Sequence, residues 1–115
     1  AFRNSLPLNQ HPVIVPNWDD TARRGERGFV LRGSNPETFR RHVRSVLALT
    51  SGQAMGRRLI FVRSWNEWAE GNYLEPDRQY GRRYLEVLRE ELMRDPRGVH
   101  CDRTCAVAGT GAENG

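Results

Sequence analysis

Lysine is absent from this 115-residue chain, and all eighteen basic residues are arginine. So uniform a bias reflects a GC-rich coding sequence more than a dedicated binding surface. Apolar residues are also scarce. At 37% they fall short of what a small domain needs to bury a complete core by itself. No apolar run is long enough to cross a bilayer, there is no signal-peptide pattern and the first residue is Ala1 rather than Met. These absences lead us to expect a truncated, soluble segment with no membrane span, cytoplasmic in setting and open in oligomeric state. Cysteine is limited to Cys101 and Cys105. With His100 they offer three candidate ligands at spacings that match no common zinc pattern, so solvated free thiols are expected and no metal site.

A net charge of +4 favours anionic partners, and arginine pairs well with phosphate. The arginines nevertheless alternate with Glu and Asp in the helical stretches and form no stripe interleaved with exposed aromatics. No nucleic-acid site is expected. A phosphate cradle is missing too, because Gly25-Glu26-Arg27-Gly28 is too short and leads into no clear helix.

The periodic segments alternate in type. Val13–Ile14–Val15, bracketed by Pro12 and Pro16, suits a short buried strand. Ser34–Asn35–Pro36–Glu37 has the form of a capping box with Pro in the first turn. Phe39, Val43, Val46, Leu47 and Thr50 follow at helical spacing, with Gly52 as the stop. Leu59 to Val62 is a second apolar run without in-out alternation, expected to be a strand covered on both faces and to continue as far as Asn66. A last helix is expected from Tyr80 or Gly81 to Asp95–Pro96. It would carry Tyr84, Leu85, Leu88 and Leu92 on one face, with Glu86, Arg89, Glu90 and Arg94 opposite. The order is β-α-β-α, and a two-stranded parallel sheet cannot satisfy its edges. The fold class is therefore α/β, read as the last two βα units of a TIM-like (β/α)8 barrel over residues 1–96, incomplete as given. Residues 97–115 lack any apolar period and read as a disordered tail.

Polar residues concentrate in the loops that follow the two strands, at the end where barrel active sites lie. The first loop contains Trp18, Asp19, Arg23 and Arg24. The second runs Ser64–Trp65–Asn66–Glu67–Trp68–Ala69–Glu70–Gly71–Asn72–Tyr73–Leu74–Glu75–Pro76–Asp77. Aromatic rings offer flat faces to sugar C–H surfaces, while carboxylates and amides bond hydroxyls and move protons at a glycosidic oxygen. Glu67 and Glu70 come within about 5–6 Å of each other if Gly71 closes a turn. Carboxyls about 5–5.5 Å apart suit a retaining glycosidase, whereas an inverting one needs roughly 6.5–9.5 Å. The glutamates are the candidate catalysts. Trp18, Asp19, Arg23, Arg24, Trp65, Asn66, Trp68, Asn72, Tyr73 and Glu75 are the candidate substrate contacts. Arg23 and Arg24 would clamp a carboxylate or phosphate on an acidic sugar or lipid-linked donor, or would simply be solvated.

Trp65–Asn66–Glu67–Trp68–Ala69–Glu70–Gly71–Asn72–Tyr73–Leu74–Glu75–Pro76–Asp77, with Tyr80–Gly81 and Tyr84–Leu85–Glu86 after it, resembles the C-terminal signature of WbsX-type proteins. These are described as glycosyltransferases of surface-polysaccharide biosynthesis and as glycoside hydrolase family 99-like domains. Trp18–Asp19–Asp20–Thr21–Ala22–Arg23–Arg24 resembles the preceding loop of that family, with Asp20 at a position where Asn is expected. The resemblance spans about residues 12 to 93. It implies a (β/α)8 barrel of which this chain is the final quarter, acting on a glycan or oligosaccharide without a metal or nucleotide cofactor. It further implies that Glu67 takes the proton of the sugar's 2-hydroxyl, which closes a 1,2-anhydro intermediate. Glu70 would be the acid/base at the glycosidic oxygen, and that role calls for a buried Glu70 close to Glu67 and walled by Trp65 or Trp68.

Two other readings stay open. In a non-catalytic glycan-binding module Trp18, Trp65, Trp68 and Tyr73 stack on sugars while the glutamates only accept hydrogen bonds. In a truncated remnant, an unpaired parallel edge and uncovered apolar faces leave nothing functional.

Overall fold

A computed structural model describes residues 6–7 and 9–95. The tail read as disordered and the His100, Cys101 and Cys105 group lie outside the described residues. The secondary structure begins with β1 (Val13–Ile14) and a single helical turn α1 (Thr21–Arg24), then the long helix α2 (Pro36–Leu49). It continues through β2 (Phe61–Val62), β3 (Asn66–Glu67), β4 (Asn72–Tyr73) and the final helix α3 (Arg83–Arg94). β1 and β2 pair in parallel, with Val13 opposite Phe61 and Ile14 opposite Val62. The α/β class and the order strand, helix, parallel strand, helix therefore hold. The sheets are two separate pairs, β1 with β2 and β3 with β4, and no closed sheet is found among the described residues.

α2 starts where the sequence changes from turn formers to an apolar period, but the cap lies one residue later than expected. Asn35 is the N-cap, its side chain accepting from the N–H groups of Glu37 (2.9 Å) and Thr38 (3.0 Å), while Thr38 Oγ1 accepts from the Asn35 N–H at 3.0 Å. The box is thus Asn35 with Thr38 rather than Ser34 with Glu37. Ser34 instead donates its hydroxyl to the Leu31 carbonyl at 2.8 Å. Pro36 occupies the first turn, where a missing N–H costs nothing. The helix ends at Thr50.

The core is small and lies between β1 and the helix pair. Ile14, Phe39, Val43, Val46, Leu74, Tyr84 and Val87 form it. α3 turns Tyr84, Val87 and Glu91 inward, with Leu85 and Leu88 only partly buried against the cluster. The buried stripe is thus displaced from the leucine face read in the sequence. The reason is electrostatic. Glu91, 4% exposed as a side chain, receives Arg40 Nη1 at 2.6 Å and Arg44 Nε at 2.7 Å from α2. Arg40 also holds Glu90 at 2.5 Å. The guanidinium of Arg44 first, then that of Arg40, keeps the Glu91 carboxyl below its ordinary range. A buried carboxylate with two cations is tolerated at a helix seam where a lone one would not be.

The expectation that Leu59 to Val62 would be covered on both faces is not met. Phe61 is 56% and Val62 41% exposed, and Leu59 is exposed as well. The described residues supply one helical layer, which covers β1, and none over the side chains of β2. The strand also stops earlier than expected. It ends at Val62, a cis peptide joins Arg63 to Ser64, and Asn66–Glu67 pairs antiparallel with Asn72–Tyr73 in a hairpin of its own. No helix among the described residues is long and apolar enough to cross a membrane.

Candidate active site

Parallel pairing puts the C-terminal ends of β1 and β2 side by side, so the loops beginning at Asn17 and Arg63 emerge together. The ladder sets this directly, through the Phe61 N–H to the Pro12 carbonyl at 3.0 Å and the Arg63 N–H to the Ile14 carbonyl at 2.9 Å. The two loops are then joined by polar bonds. The Asn72 amide nitrogen donates to the carbonyls of Asn17 (2.7 Å) and Arg63 (3.0 Å), and Asn17 Oδ1 accepts from the Tyr73 N–H at 2.9 Å. The Asp19 N–H donates to the Glu70 carbonyl at 2.9 Å. Gly71 lies where the loops touch. It has φ +52°, and a Cβ there would sit 3.0 Å from the backbone N and O of Asp19. A side chain is excluded by both backbone conformation and space.

Within the second loop β3 leads into a single 3-10 turn, Trp68–Glu70, which Gly71 ends by donating its N–H to the Trp68 carbonyl at 3.0 Å. Glu67 is the residue before that turn and Glu70 its last residue. Their surroundings differ. Among the described residues Glu67 is exposed and its carboxylate has no ion-pair partner, whereas Glu70 is 17% exposed. Arg23 Nη1 reaches Glu70 Oε1 and Arg63 Nη2 reaches Oε2, each at 3.3 Å. Two guanidinium groups, rather than an indole wall, are what meets the Glu70 oxygens.

The aromatic residues of the two loops make contacts of their own. Trp68 stacks on Tyr73 with ring centroids 3.7 Å apart and planes 17° from parallel, and its indole N–H donates to Glu75 Oε2 at 2.6 Å. The Tyr73 hydroxyl donates to Asp77 at 2.9 Å. Burial first and that carboxylate second push the phenol up to about 12, so it stays protonated throughout the physiological range. Trp18 has the Arg63 guanidinium 4.8 Å from its ring centre, a cation–π distance. Trp65 is exposed, and its carbonyl anchors the N–H groups of Leu74 (2.9 Å) and Glu75 (3.1 Å). Trp18, Asp19, Tyr73, Asp77, Tyr80 and Tyr84 are among the walls of an open cleft of about 440 Å³ between the two loops.

Neither Glu67 nor Glu70, nor Arg23, Trp65 or Trp68, is among the walls of that cleft, and several other candidates are tied up within the loops. Asn72 is 0% exposed and works as the clamp between loops. Arg24 turns to Asp20, with Nε to Oδ2 at 3.2 Å. Asp19 accepts from the Thr21 hydroxyl (2.5 Å) and N–H (3.0 Å), which hold its carboxyl below the ordinary range. Asn66 lies exposed on β3. Several residues that matter to the loops escaped the sequence reading. Asp20 is buried and closes the first loop by accepting from the Phe29 N–H at 2.6 Å. Asn17, Ser64 and Arg63 complete the joint, Ser64 donating to the Asn72 carbonyl at 2.8 Å. Arg63 was detectable in principle, as a cation at the exact register where a parallel strand opens into a carboxylate loop. Among the described residues no cluster of three or more His, Cys, Asp or Glu is placed to hold a metal.

Comparison with known proteins places this arrangement in a family. The model of the family described as glycosyltransferase WbsX matches residues 2–88, and the chain belongs to that family. Among curated proteins it is 34% identical over 87 residues to "Uncharacterized protein WxcX" of Xanthomonas campestris pv. campestris strain B100. It matches the protein of the same name from strain ATCC 33913 to the same extent. In both cases the match covers 75% of this chain and 12% of the relative, so the chain spans a small part of these relatives' length. No solved structure matches.

Proposed function

We propose that this segment forms the last two βα units of a (β/α)8 barrel in a carbohydrate-active enzyme. The enzyme would act on glycosidic bonds of a surface polysaccharide, as a glycosyltransferase of the WbsX kind or a retaining, family 99-like glycosidase. The observation that carries this reading is the joint at the C-terminal ends of two parallel strands. There Glu67, the last residue of β3, and Glu70, in the 3-10 turn after it, lie in the loop whose Gly71 and Tyr73 line a cleft together with Trp18 and Asp19. A rigid sheet end that presents two carboxylates and several aromatic faces is suited to orienting a sugar and moving protons around its anomeric centre.

In this mechanism Glu67, free of ion pairs among the described residues, takes the proton of the sugar's 2-hydroxyl. The oxygen closes on the anomeric carbon as the glycosidic bond breaks, and Glu70 delivers a proton to the departing oxygen. Glu70 then removes a proton from the incoming water or acceptor hydroxyl as that oxygen attacks the anomeric carbon, and Glu67 returns its proton to the 2-oxygen as the anhydro ring opens with net retention. Arg23 and Arg63, each 3.3 Å from a Glu70 oxygen, stabilise the carboxylate that Glu70 becomes after it has given up its proton and before it takes one from the incoming hydroxyl. The test is reducing-end release from isolated bacterial surface polysaccharide by the intact protein and by its Glu67→Gln and Glu70→Gln variants. Each substitution is expected to lower turnover by on the order of 10²–10⁴-fold. Full turnover by Glu70→Gln would sink the mechanism. Calorimetric titration with nucleoside diphosphates separates the two enzyme classes, since only a nucleotide-sugar transferase should bind them.

The exposure of Trp65 and Trp68 favours a second reading, a glycan-binding module. Polysaccharide binding that both substitutions leave unchanged, with no turnover by the unmodified protein, would select it.

A further inference from the structure

Arg63 is fixed at its backbone from two directions. Its N–H is part of the parallel ladder, bonded to the Ile14 carbonyl at 2.9 Å, and its own carbonyl accepts from the buried Asn72 amide at 3.0 Å. From that anchored Cα the side chain reaches residues of both loops. Nη2 lies 3.3 Å from Glu70 Oε2, and the guanidinium carbon lies 4.8 Å from the centre of the Trp18 ring. The side chain itself is 56% exposed. It therefore contributes little to packing, and an ion pair so exposed contributes little to stability. Nor is it needed to keep the loops together, because the Asp19 N–H to Glu70 carbonyl bond and the Asn72 clamp already do that. What the guanidinium adds is a fixed relation between one carboxylate and one indole. The planar fork suits both tasks, with an edge for the carboxylate and a face for the ring.

We propose that Arg63 is a positioning residue, holding the Glu70 carboxylate and the Trp18 indole in register so that a sugar seated against Trp18 presents its glycosidic oxygen to Glu70. This inference rests on the reading of Glu70 as the acid/base. Arg63 touches no reacting atom and acts through Glu70, while Arg23, on the other carboxylate oxygen, opposes it and stops the carboxylate swinging away.

Steady-state turnover of the same surface polysaccharide by the intact protein tests this, using Arg63→Ala, Arg63→Lys, Glu70→Gln and the Arg63→Ala/Glu70→Gln double variant. Arg63→Ala is expected to lower kcat about tenfold, the scale of a small misplacement of a reacting group, with KM unchanged. Low millimolar guanidinium should restore much of the loss, because the exposed site leaves room for the free cation. Arg63→Lys should fall between wild type and Ala, since it keeps the charge and loses the planar contact with Trp18. In the Glu70→Gln background, removing Arg63 should cost nothing more. Wild-type kcat in Arg63→Ala overturns the proposal, and so does a loss that guanidinium does not rescue and that adds in full to that of Glu70→Gln. If Arg63→Ala fails to fold, as near-UV circular dichroism would show, Arg63 is a structural brace and the proposal fails. Full turnover by Glu70→Gln removes the acid/base reading itself, which is distinct from failure of Arg63 alone.

Discussion

Two of the places where glutamate meets arginine, the helix seam and the loop joint, have different results. At the seam between α2 and α3, Glu91 is buried and receives Arg40 and Arg44 at 2.6 and 2.7 Å. At the joint of the two loops, Glu70 is held by Arg23 and Arg63 at a looser 3.3 Å, by cations more than half exposed. The pairs are chemically alike. Burial makes the first a requirement of folding, because a Glu91 carboxylate only 4% exposed depends on those cations in place of water. Exposure leaves the second adjustable, and a carboxylate that must exchange protons with a ligand has to be adjustable. The same residue types thus serve architecture in one place and, as we propose, chemistry in the other. Sequence spacing alone does not separate them.

The sharpest way to break this comparison is to neutralise each glutamate in turn. Glu70→Gln is expected to abolish most turnover, by the 10²–10⁴-fold given above, and to leave the melting temperature close to wild type. Glu91→Gln should do the reverse, lowering the melting temperature by roughly 5 °C or more while turnover per folded molecule is preserved. Acid should expose the same contrast. The folded-state value of Glu91 lies below its ordinary 4.5. Its stabilisation is therefore complete above that ordinary value and is lost as pH falls through the lowered one. A plot of melting temperature against pH should be flatter below about 4.5 in Glu91→Gln than in wild type. Equal slopes would show that the seam is not what acid attacks.

Gly71→Ala sharpens the comparison at the loop joint. A left-handed backbone costs a non-glycine residue roughly 1–2 kcal/mol, and here the new methyl would also press on Asp19. Turnover should fall while the helix seam, followed by far-UV circular dichroism, is unaffected. Tyr73→Phe removes one hydrogen bond, to Asp77, and keeps the stack on Trp68. A loss of about 1 kcal/mol in chemical denaturation is expected, with turnover reduced less than in Glu70→Gln. The smallest effect belongs to His42, whose Nε2 accepts from the Val15 N–H at 3.1 Å. Burial lowers its imidazole from the ordinary 6.5, so the folded chain favours the neutral ring. Stability is then full above 6.5 and declines as pH falls below it, where the unfolded chain takes up the proton first. The decline corresponds to no more than about one proton per molecule, and His42→Gln should remove it.

Much of this was legible in the sequence. Proline-bracketed Val13–Ile14, the amphipathic run from Phe39 to Thr50 and the glutamate-tryptophan segment after Val62 locate the elements and point to the loop end of the sheet. Capping was misplaced by one residue, because Ser34 and Asn35 are both good caps and only the course of the chain from Leu31 decides between them. The extent of β2 was overestimated, since an apolar run does not reveal whether a second layer covers it. The buried stripe of α3 was displaced for a similar reason, Glu91 being a poor core residue until Arg40 and Arg44 arrive from another helix.

By itself the sequence determined the alternation of strands and helices, membership of a family through its Trp65–Asp77 motif, and the concentration of carboxylates and aromatics in two loops. These are properties of local order, written in periodicity and residue type. Tertiary structure alone decided which arginines meet Glu70, that Asn72 is a buried clamp rather than an exposed contact, and that Gly71 must be glycine. The Arg23 contact with Glu70, the Asn72 clamp and the crowding of Gly71 by Asp19 all depend on parallel pairing that brings together residues some fifty positions apart, such as Asn17 and Asn72. No local pattern encodes a distance of that kind.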